Sequence, residues 1–164
     1  MFRPTRRPER ALTEAEAWAL LERAAYGVLA THGAEGYPYA VPMNHAVLSH
    51  DGTKGALVFH AAVTGHRLEA LRADPRVCFT VTEGPEEEAS AIPPGTLGTY
   101  SSAVAFGAVS ELPPGQQETA LEALVLRHLP ERAGDAGQLL RDGKRVSVLR
   151  MEVARISGKR LVVK

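Results

Sequence analysis

The sequence predicts a mainly β domain in which about six antiparallel strands form a barrel with flanking helices. Several strand-like runs recur at near-regular spacing, and glycine-containing turns connect the first of them, which favours a barrel over a doubly wound sheet. The chain of 164 residues has the length of one domain, and it contains neither an internal repeat nor an interdomain linker. We therefore expect residues 1–164 to form a single domain.

The composition excludes several broad classes of function. Hydrophobic residues make up 45% and charged residues 23% of the chain, an ordinary globular balance, and the formal net charge is +0. Because no overall field attracts nucleic acid or acidic membranes, neither is expected as a partner. The single cysteine, Cys78, allows no internal disulfide and no CxxC metal site.

The first residues do not resemble a targeting or membrane segment. Arg3, Arg6, Arg7 and Arg10 make this part of the chain basic, but no apolar h-region follows them. No uninterrupted apolar stretch is long enough to span a bilayer. We expect a cytoplasmic protein in which residues 1–12 form a flexible arm.

A capping box predicts the start of the first helix. Thr13 and Glu16 have the T-x-x-E spacing in which each side chain satisfies a free backbone donor of the other residue. The apolar residues that follow at near-helical spacing give this helix one apolar face: Ala15, Trp18, Leu21 and Ala25. Trp18 is therefore expected in the core.

Strand patterns account for most of the remaining chain. A short helix is expected over residues 65–74 with Thr64 as its N-cap, and a longer helix begins at Pro113. Residues 83–95 are rich in Glu, Pro and Ser and are expected to form an acidic loop. The expected strands cover residues 26–31, 37–47, 56–60, 76–82, 97–112 and 146–156, with a Ser157–Gly158 turn before a last piece over 160–163.

Two prolines make the strand over residues 37–47 unusual. Pro38 and Pro42 remove two backbone donors from the same edge, so a neighbouring strand is not expected to pair there. One interpretation is an edge strand that is protected from aggregation. The other is a strand whose remaining amides and carbonyls face a flat ligand.

Arg67 lies in the first turn of the helix predicted over residues 65–74. The helix dipole disfavours a cation at this end, and an anion bound to the free amides would give the guanidinium a partner. Phosphate is the obvious candidate, and a solvent-facing arginine is the alternative.

Hydroxyl and imidazole groups give weaker signals. Ser101 and Ser102 are adjacent in a strand and point to opposite faces, so at most one of them lines a given cavity. The six histidines form no HxxxH or HExxH pair on one element, so no metal site is expected.

In their order and spacing, these segments resemble the FMN-binding split barrel of the pyridoxamine 5'-phosphate oxidase-like family. The matching segments are residues 36–43, 58–61, 65–68, 74–79, 100–107 and 156–159, within a resemblance that spans residues 26–159. His60 and the Y-x-S-x-x-x-F-G strand most resemble the nitroimidazole-reductase (5-nitroimidazole antibiotic resistance) branch. Ser101 stands where that branch often has an arginine.

The resemblance implies a six-stranded antiparallel split β-barrel that forms a homodimer, with FMN sites at the interface. In this family Tyr39 to Asn44 would run along the isoalloxazine ring, His60 and Ala61 would lie beside the ring or the ribityl chain, and Arg67 would bind the phosphate. The cofactor-binding residues implied are Tyr39, Ala40, Val41, Pro42, Met43, Asn44, His60, Ala61, Arg67, Ser101 and Ser102.

The resemblance also implies an FMN-dependent oxidoreductase that passes electrons from a reduced nicotinamide cofactor to a small aromatic acceptor such as a nitro compound. His60 is the candidate catalytic residue, because an imidazole titrates near neutral pH; a bond to cofactor or backbone alone is the alternative. A non-catalytic flavin- or haem-binding module, with His60 or His66 on the iron, stays open. Pyridoxamine-phosphate oxidation is disfavoured, because the C-terminal arginine-and-tryptophan substrate signature of that enzyme is missing. The only tryptophan, Trp18, lies near the other end of the chain.

Overall fold

A computed structural model describes residues 3–84, 99–142 and 146–162. In this part of the chain, eight strands form one sheet, and helices flank it, which confirms the fold class, although the strands number eight and not six. The strands are β1 (Ala11–Leu12), β2 (Tyr26–His32), β3 (Pro38–Asn44), β4 (Ala46–His50), β5 (Gly55–Ala62), β6 (Arg76–Glu83), β7 (Tyr100–Glu111) and β8 (Val146–Leu161). The helices are α1 (Glu14–Arg23), α2 (His66–Ala73), α3 (Pro114–His128) and α4 (Ala136–Arg141), with 3-10 turns at Pro8–Arg10 and Pro130–Arg132.

The sheet is rolled so that its two ends meet. Its order is β3-β2-β6-β7-β8-β5-β4, with antiparallel pairing throughout and β1 added beside β8. The end strands β3 and β4 are consecutive in the chain and are joined by one residue, His45. Because no ladder connects them, the barrel is split at this point. The prediction of one strand over residues 37–47 is therefore wrong: the chain leaves one end of the sheet at His45 and enters the other.

The barrel interior holds the main core, and α1 contributes to it. Ala17, Trp18, Leu20 and Leu21 of α1 are each 0% exposed and belong to the same cluster as the inward residues of the strands. The prediction that Trp18 is a core residue is confirmed. The capping box is confirmed as well, since the Glu16 amide donates to Thr13 Oγ1 at 3.2 Å and the Thr13 amide donates to Glu16 Oε2 at 2.8 Å.

An irregularity in β8 changes which of its residues face inward. The pairing with β7 shifts between Phe106 and Gly107, which leaves Ala154 as an extra residue in β8. Before it the buried residues that face inward include Leu149, Met151 and Val153, and after it they are Ile156 and Gly158. A Cβ at Gly107 would overlap the Glu152 carbonyl oxygen, so the two strands approach each other closely at this glycine.

The predicted turn at Ser157–Gly158 is wrong, because β8 continues through it to Leu161. Gly158 faces the interior, where an added Cβ would lie 2.9 Å from Leu12 Cδ1 and 3.2 Å from Ala17 Cβ. Its missing side chain therefore makes room for Leu12 of β1 and Ala17 of α1.

The start of the chain and of α2 also differ from the predictions. Residues 8–12 are not part of a free arm, since they form a 3-10 turn and then β1, whose Ala11 pairs with Lys159. The N-cap of α2 is Gly65, with a φ of 115°, and not Thr64. Residues 85–95 of the predicted acidic loop and residues 97–98 of the predicted strand lie outside the described residues.

The outer surface of the sheet has a covered half and an open half. Val58 and Val148, beneath α3, are 0% exposed and form a second core with that helix. On β2, β6 and β7, the paired outward residues stay partly exposed. We call this group the open sheet face: Val28, Ala30, Cys78, Thr80, Val104 and Phe106.

Candidate functional site

The predicted site residues on β3, β5 and α2 surround the split in the barrel. β3 is an end strand that pairs only with β2 within the described sheet, which confirms its interpretation as an edge strand. Across the split, β3 is in contact with β5, the strand next to the other end strand, β4. The chain then passes from β5 to α2 through residues 63–65. The split therefore has an unpaired strand edge on one side and a helix N-terminus at its end.

The side chains of β3 alternate between two environments. Ala40, Pro42 and Asn44 are exposed on the outward face, whereas Tyr39 and Val41 are half-buried on the inward face. Met43, which shares that inward face, is 6% exposed and lies in the core. The outward face is thus a flat, small-residue surface with Asn44 at its end, and Met43 can offer a ligand only its backbone.

The N-terminus of α2 has free donors. Gly65 supplies no side-chain cap, and the first amides of a helix have no intrahelical acceptor. Arg67, in this first turn, is half-buried, and its Nε is buried with no hydrogen-bond partner. The His66 ring stacks on Tyr39 with the ring centroids 4.4 Å apart, which fixes α2 against β3. A buried donor without an acceptor costs about 1–3 kcal/mol, so this end of the helix suits an anion.

His60 is an outward residue near the end of β5, the strand that leads to α2. The residue is exposed, but neighbouring groups partly enclose its ring, and this desolvation is the main cause that lowers its pKa below the usual 6.5. Coulombic interactions with Arg67 and with His128 lower the pKa further. His60 is therefore neutral at pH 7. The adjacent Ala61 points inward and is 4% exposed, so only its backbone can contact a ligand in the split.

A cavity of about 400 Å³ opens beside His60, beneath α3. Its walls are apolar and come from α3, α4 and β8: Leu121, Leu124, Val125, Leu139 and Val146, with Leu129 at the end of α3. Its polar groups are Asn44, His60 and His128. We call this space the α3 cavity.

His128, at the end of α3, was not among the predicted site residues. Its Nε2 lies 2.8 Å from the carbonyl oxygen of His45, so Nε2 carries the proton, and its Nδ1 lies 3.3 Å from Asn44 Nδ2 and accepts from that amide. His128 therefore ties α3 to the residue that joins β3 and β4. The sequence signal was weak, since a histidine in the last turn of a helix is usually explained by the helix dipole.

His45 completes this chain of hydrogen bonds. Its Nε2 donates to the Leu21 carbonyl oxygen at 2.8 Å, at the end of α1. Its Nδ1 is buried with no partner, and the residue is 0% exposed. Burial lowers the pKa of His45 to about 4, against the opposing effect of the bond to Leu21 and with a further decrease from Arg127 and His128. His45 is a neutral anchor of the split.

Ser101 and Ser102 do not line the α3 cavity within this chain. Ser101 Oγ lies 3.3 Å from Arg160 Nε, close to the start of α1. Ser102 pairs with Thr82 of β6, three strands away from Asn44, or roughly 14 Å at the usual strand spacing. One chain brings together Asn44, His60 and Arg67 but not the two serines.

Within the described residues, no group of three or more His, Cys, Asp or Glu side chains could hold a metal ion. None of the helices described has both the length and the apolar character that crossing a membrane requires.

The rolled sheet, broken between consecutive strands and flanked by helices, defines a split β-barrel. The sequence model described as pyridoxamine 5'-phosphate oxidase matches residues 13–160, which is most of the chain. The chain belongs to this pyridoxamine 5'-phosphate oxidase-like family, as its motifs predict. No curated protein matches the sequence.

Solved structures share the fold at low sequence identity. A candidate 5-nitroimidazole antibiotic resistance protein from Bacteroides thetaiotaomicron is 22% identical, with a TM-score of 0.69 over 88% of this chain and 82% of that one. A FAD-binding protein from Mesorhizobium loti is 24% identical, with a TM-score of 0.66 over 93% and 97%. The FAD and heme binding protein of Mycobacterium smegmatis is 20% identical, with a TM-score of 0.67 over 92% and 72%. These similarities establish the fold alone.

Proposed function

We propose that the protein is an FMN-dependent oxidoreductase whose flavin site lies at the split of the barrel, between β3, β5 and the N-terminus of α2. The observation that carries this proposal is the buried, unpartnered Arg67 Nε in the first turn of an uncapped helix. The neighbouring structures that are FAD-binding proteins support a flavin ligand for this fold.

Arg67 and the first amides of α2 would hold the phosphate. A phosphate oxygen can accept from the guanidinium Nε and from the free amides at the same time, which removes the cost of the buried donor and uses the positive end of the helix dipole. The stacked Tyr39 and His66 would keep this helix end in place.

β3 would support the flat ring. Ala40 and Pro42 leave a low, exposed surface, and the free edge of an end strand has backbone groups that no neighbouring strand uses. A planar heterocycle has donors and acceptors along its edges that such a backbone can satisfy. Backbone contacts are also open to Val41, Met43 and Ala61, whose side chains point inward.

When bound, FMN would supply the redox chemistry, accepting electrons from a reduced nicotinamide cofactor and passing them to a small aromatic acceptor such as a nitro compound. The residues of the chain would position the cofactor and the acceptor and would exchange protons with the acceptor. His60, neutral at pH 7 and exposed at the α3 cavity, could orient the acceptor or exchange a proton with it through its ring nitrogens.

A homodimer would complete the site. The open sheet face is mostly apolar and only partly buried, in contrast to the half of the sheet that α3 covers. A second copy packed on this face would bury it. Ser102 lies on the same outward face, so a partner copy is the way to bring it towards the split.

Arg67→Ala tests the phosphate assignment. The loss of a charge-assisted hydrogen bond, worth about 1.5–3 kcal/mol, should weaken FMN binding by roughly ten- to a hundredfold in a fluorescence-quenching titration. The matched control is Arg72→Ala on the same helix, because Arg72 pairs with Glu111 at 2.7 Å on the surface. Equal FMN affinity in the Arg67 and Arg72 variants would remove the proposed role of Arg67.

The visible spectrum of the purified protein, with and without added FMN, tests the cofactor itself. Two flavin bands that remain after the excess is removed support the proposal. A protein that stays colourless at saturating FMN contradicts it.

A haem-binding module is the second candidate. It is favoured by the exposed, neutral His60 beside an apolar cavity, since a neutral imidazole is a good iron ligand, and by the heme-binding Mycobacterium smegmatis proteins of this fold. A Soret band after hemin addition that His60→Ala abolishes would identify this function.

A further inference from the structure

We propose that the α3 cavity binds a small, flat, apolar molecule that carries one neutral or anionic hydrogen-bonding head group, and that it discriminates against cations. As the acceptor site of the enzyme, the α3 cavity rests on the proposed function; as a binding site, it rests on its own walls and charges.

The walls determine the body of the ligand. Leucine and valine side chains from α3, α4 and β8 surround a volume of about 400 Å³, which is within the range of small-molecule pockets and exceeds the volume of a one- or two-ring arene. Leu121, Leu124 and Val125 are at most 7% exposed and belong to the second core, so these walls are held by packing. Burial of an apolar ring in the α3 cavity gives a favourable free energy of binding, whereas burial of a strongly hydrated group does not.

The polar end determines the head group. The protonated Nε2 of His128 is used by the His45 carbonyl, and its Nδ1 by the Asn44 amide. These bonds hold Asn44 with its side-chain carbonyl as the remaining acceptor, while the neutral His60 ring can donate or accept. A hydroxyl, carboxylate or nitro group fits one or both of these partners.

The charges around the polar end determine its selectivity. The described lining contains no Asp or Glu side chain, and Arg67 and His128 are the charged or chargeable groups that act on His60. An ammonium group would lose its hydration without finding a carboxylate to pair with, and the positive charge of Arg67, which acts on His60, would oppose it. An anionic or neutral head group meets no such repulsion.

The α3 cavity is continuous with the proposed flavin site but not identical to it. Asn44 and His60 belong to both, whereas Arg67 and the start of α2 do not line the cavity. A molecule in the cavity would therefore contact the split from the side of α3, and a substitution deep in the cavity should leave the phosphate site intact.

Isothermal titration calorimetry with three naphthalene probes of one size tests this proposal on FMN-loaded protein. 2-Naphthoate and 2-naphthylmethanol are expected to bind at least about tenfold more tightly than 2-naphthylmethylamine. Leu139→Trp, which fills the cavity from α4, should weaken naphthoate binding by at least about tenfold and leave FMN affinity unchanged. Leu129→Trp is the second cavity-filling variant, to be used if Leu139→Trp misfolds. Leu129 also lines the α3 cavity and is 41% exposed.

The matched control is Leu126→Trp, the same substitution on α3 at a residue that is 55% exposed and outside the cavity lining. Equal affinity for the ammonium probe would overturn the charge selectivity. Loss of FMN binding in the cavity-filling variants would show that the cavity belongs to the flavin. If the wild type takes up no FMN, the proposed function fails, and the same titrations on flavin-free protein still decide whether the cavity binds the probes.

Discussion

At the scale of single residues, His45 has a consequence for stability. Its ring is enclosed, its Nε2 proton is committed to Leu21, and its Nδ1 has no acceptor for a second proton. Its position near the end of α1 would favour a cation by about 0.3–1 kcal/mol, and the desolvation cost exceeds this. The neutral form is therefore the one that the fold requires.

We predict that the wild type loses stability as the pH falls from 7 to 4. The pKa of His45 is about 4 in the fold and 6.5 in the unfolded chain, so the unfolded state binds more protons in this window. This proton binding lowers the free energy of unfolding by about 3 kcal/mol at pH 4. Urea denaturation of the wild type and of His45→Gln at both pH values measures the difference. His45→Gln keeps an amide that can donate to Leu21 but does not titrate.

The stability that carboxylates lose in acid is shared by both proteins and cancels in this comparison. An identical pH dependence for the wild type and for His45→Gln would show that His45 is not buried as a neutral base.

The site residues differ in how far the sequence could predict them. Arg67 was predicted from its position in a first helical turn, a local relation that a sequence contains. His128 was missed, because its partners His45 and Asn44 are 83 and 84 residues away and no local pattern connects them. Met43 and Ala61 were predicted as ligand contacts, but the side to which they point depends on how the sheet is rolled.

At the scale of elements, local signals were reliable where one element decides the geometry. The T-x-x-E spacing correctly located the start of α1, and the alternation of apolar residues located β2, β5 and β6 within a few residues. The break at His45 and the extra residue Ala154 were not predicted, because both depend on how the strands pair across the sheet. The continuous β8 was missed because Gly158 resembles a turn residue, although it serves to admit α1.

We predict that Thr13→Ala destabilises the protein by about 1 kcal/mol, since it removes the acceptor for the Glu16 amide and half of the capping box. Thermal unfolding monitored by circular dichroism measures the change. Thr13→Ser keeps the hydroxyl and should stay close to the wild type. A loss in Thr13→Ser as large as that in Thr13→Ala would point to the methyl group and not to the cap.

At the scale of the whole molecule, the uneven covering of the sheet is the main feature. α3 and α4 cover one half of its outer surface, whereas the residues of the open sheet face are mostly apolar and only partly buried. The fold class was predictable from the number and spacing of the strands. Which half of the sheet stays uncovered was not, because it depends on where α3 packs after β7.

We predict that Val104→Arg converts the proposed dimer into a monomer, since it places a charge on the open sheet face beside Thr80. Light scattering after size-exclusion chromatography measures the mass. Leu126→Arg, at an exposed position on α3, is the control and should keep the wild-type mass. A monomeric wild type at the highest concentration tested would show that the dimer is wrong.

The single residue between β3 and β4 also limits the width of the split. The separation of Asn44 and Ala46 cannot exceed about 7 Å between Cα atoms, because two covalent links span it. Elsewhere in the barrel, a wider opening would require breaking a ladder of hydrogen bonds. Here the insertion of one residue would widen the gap between β3 and β4 and leave the described ladders intact. The number of residues at this position would therefore set the size of the ligand that the proposed site at the split can hold.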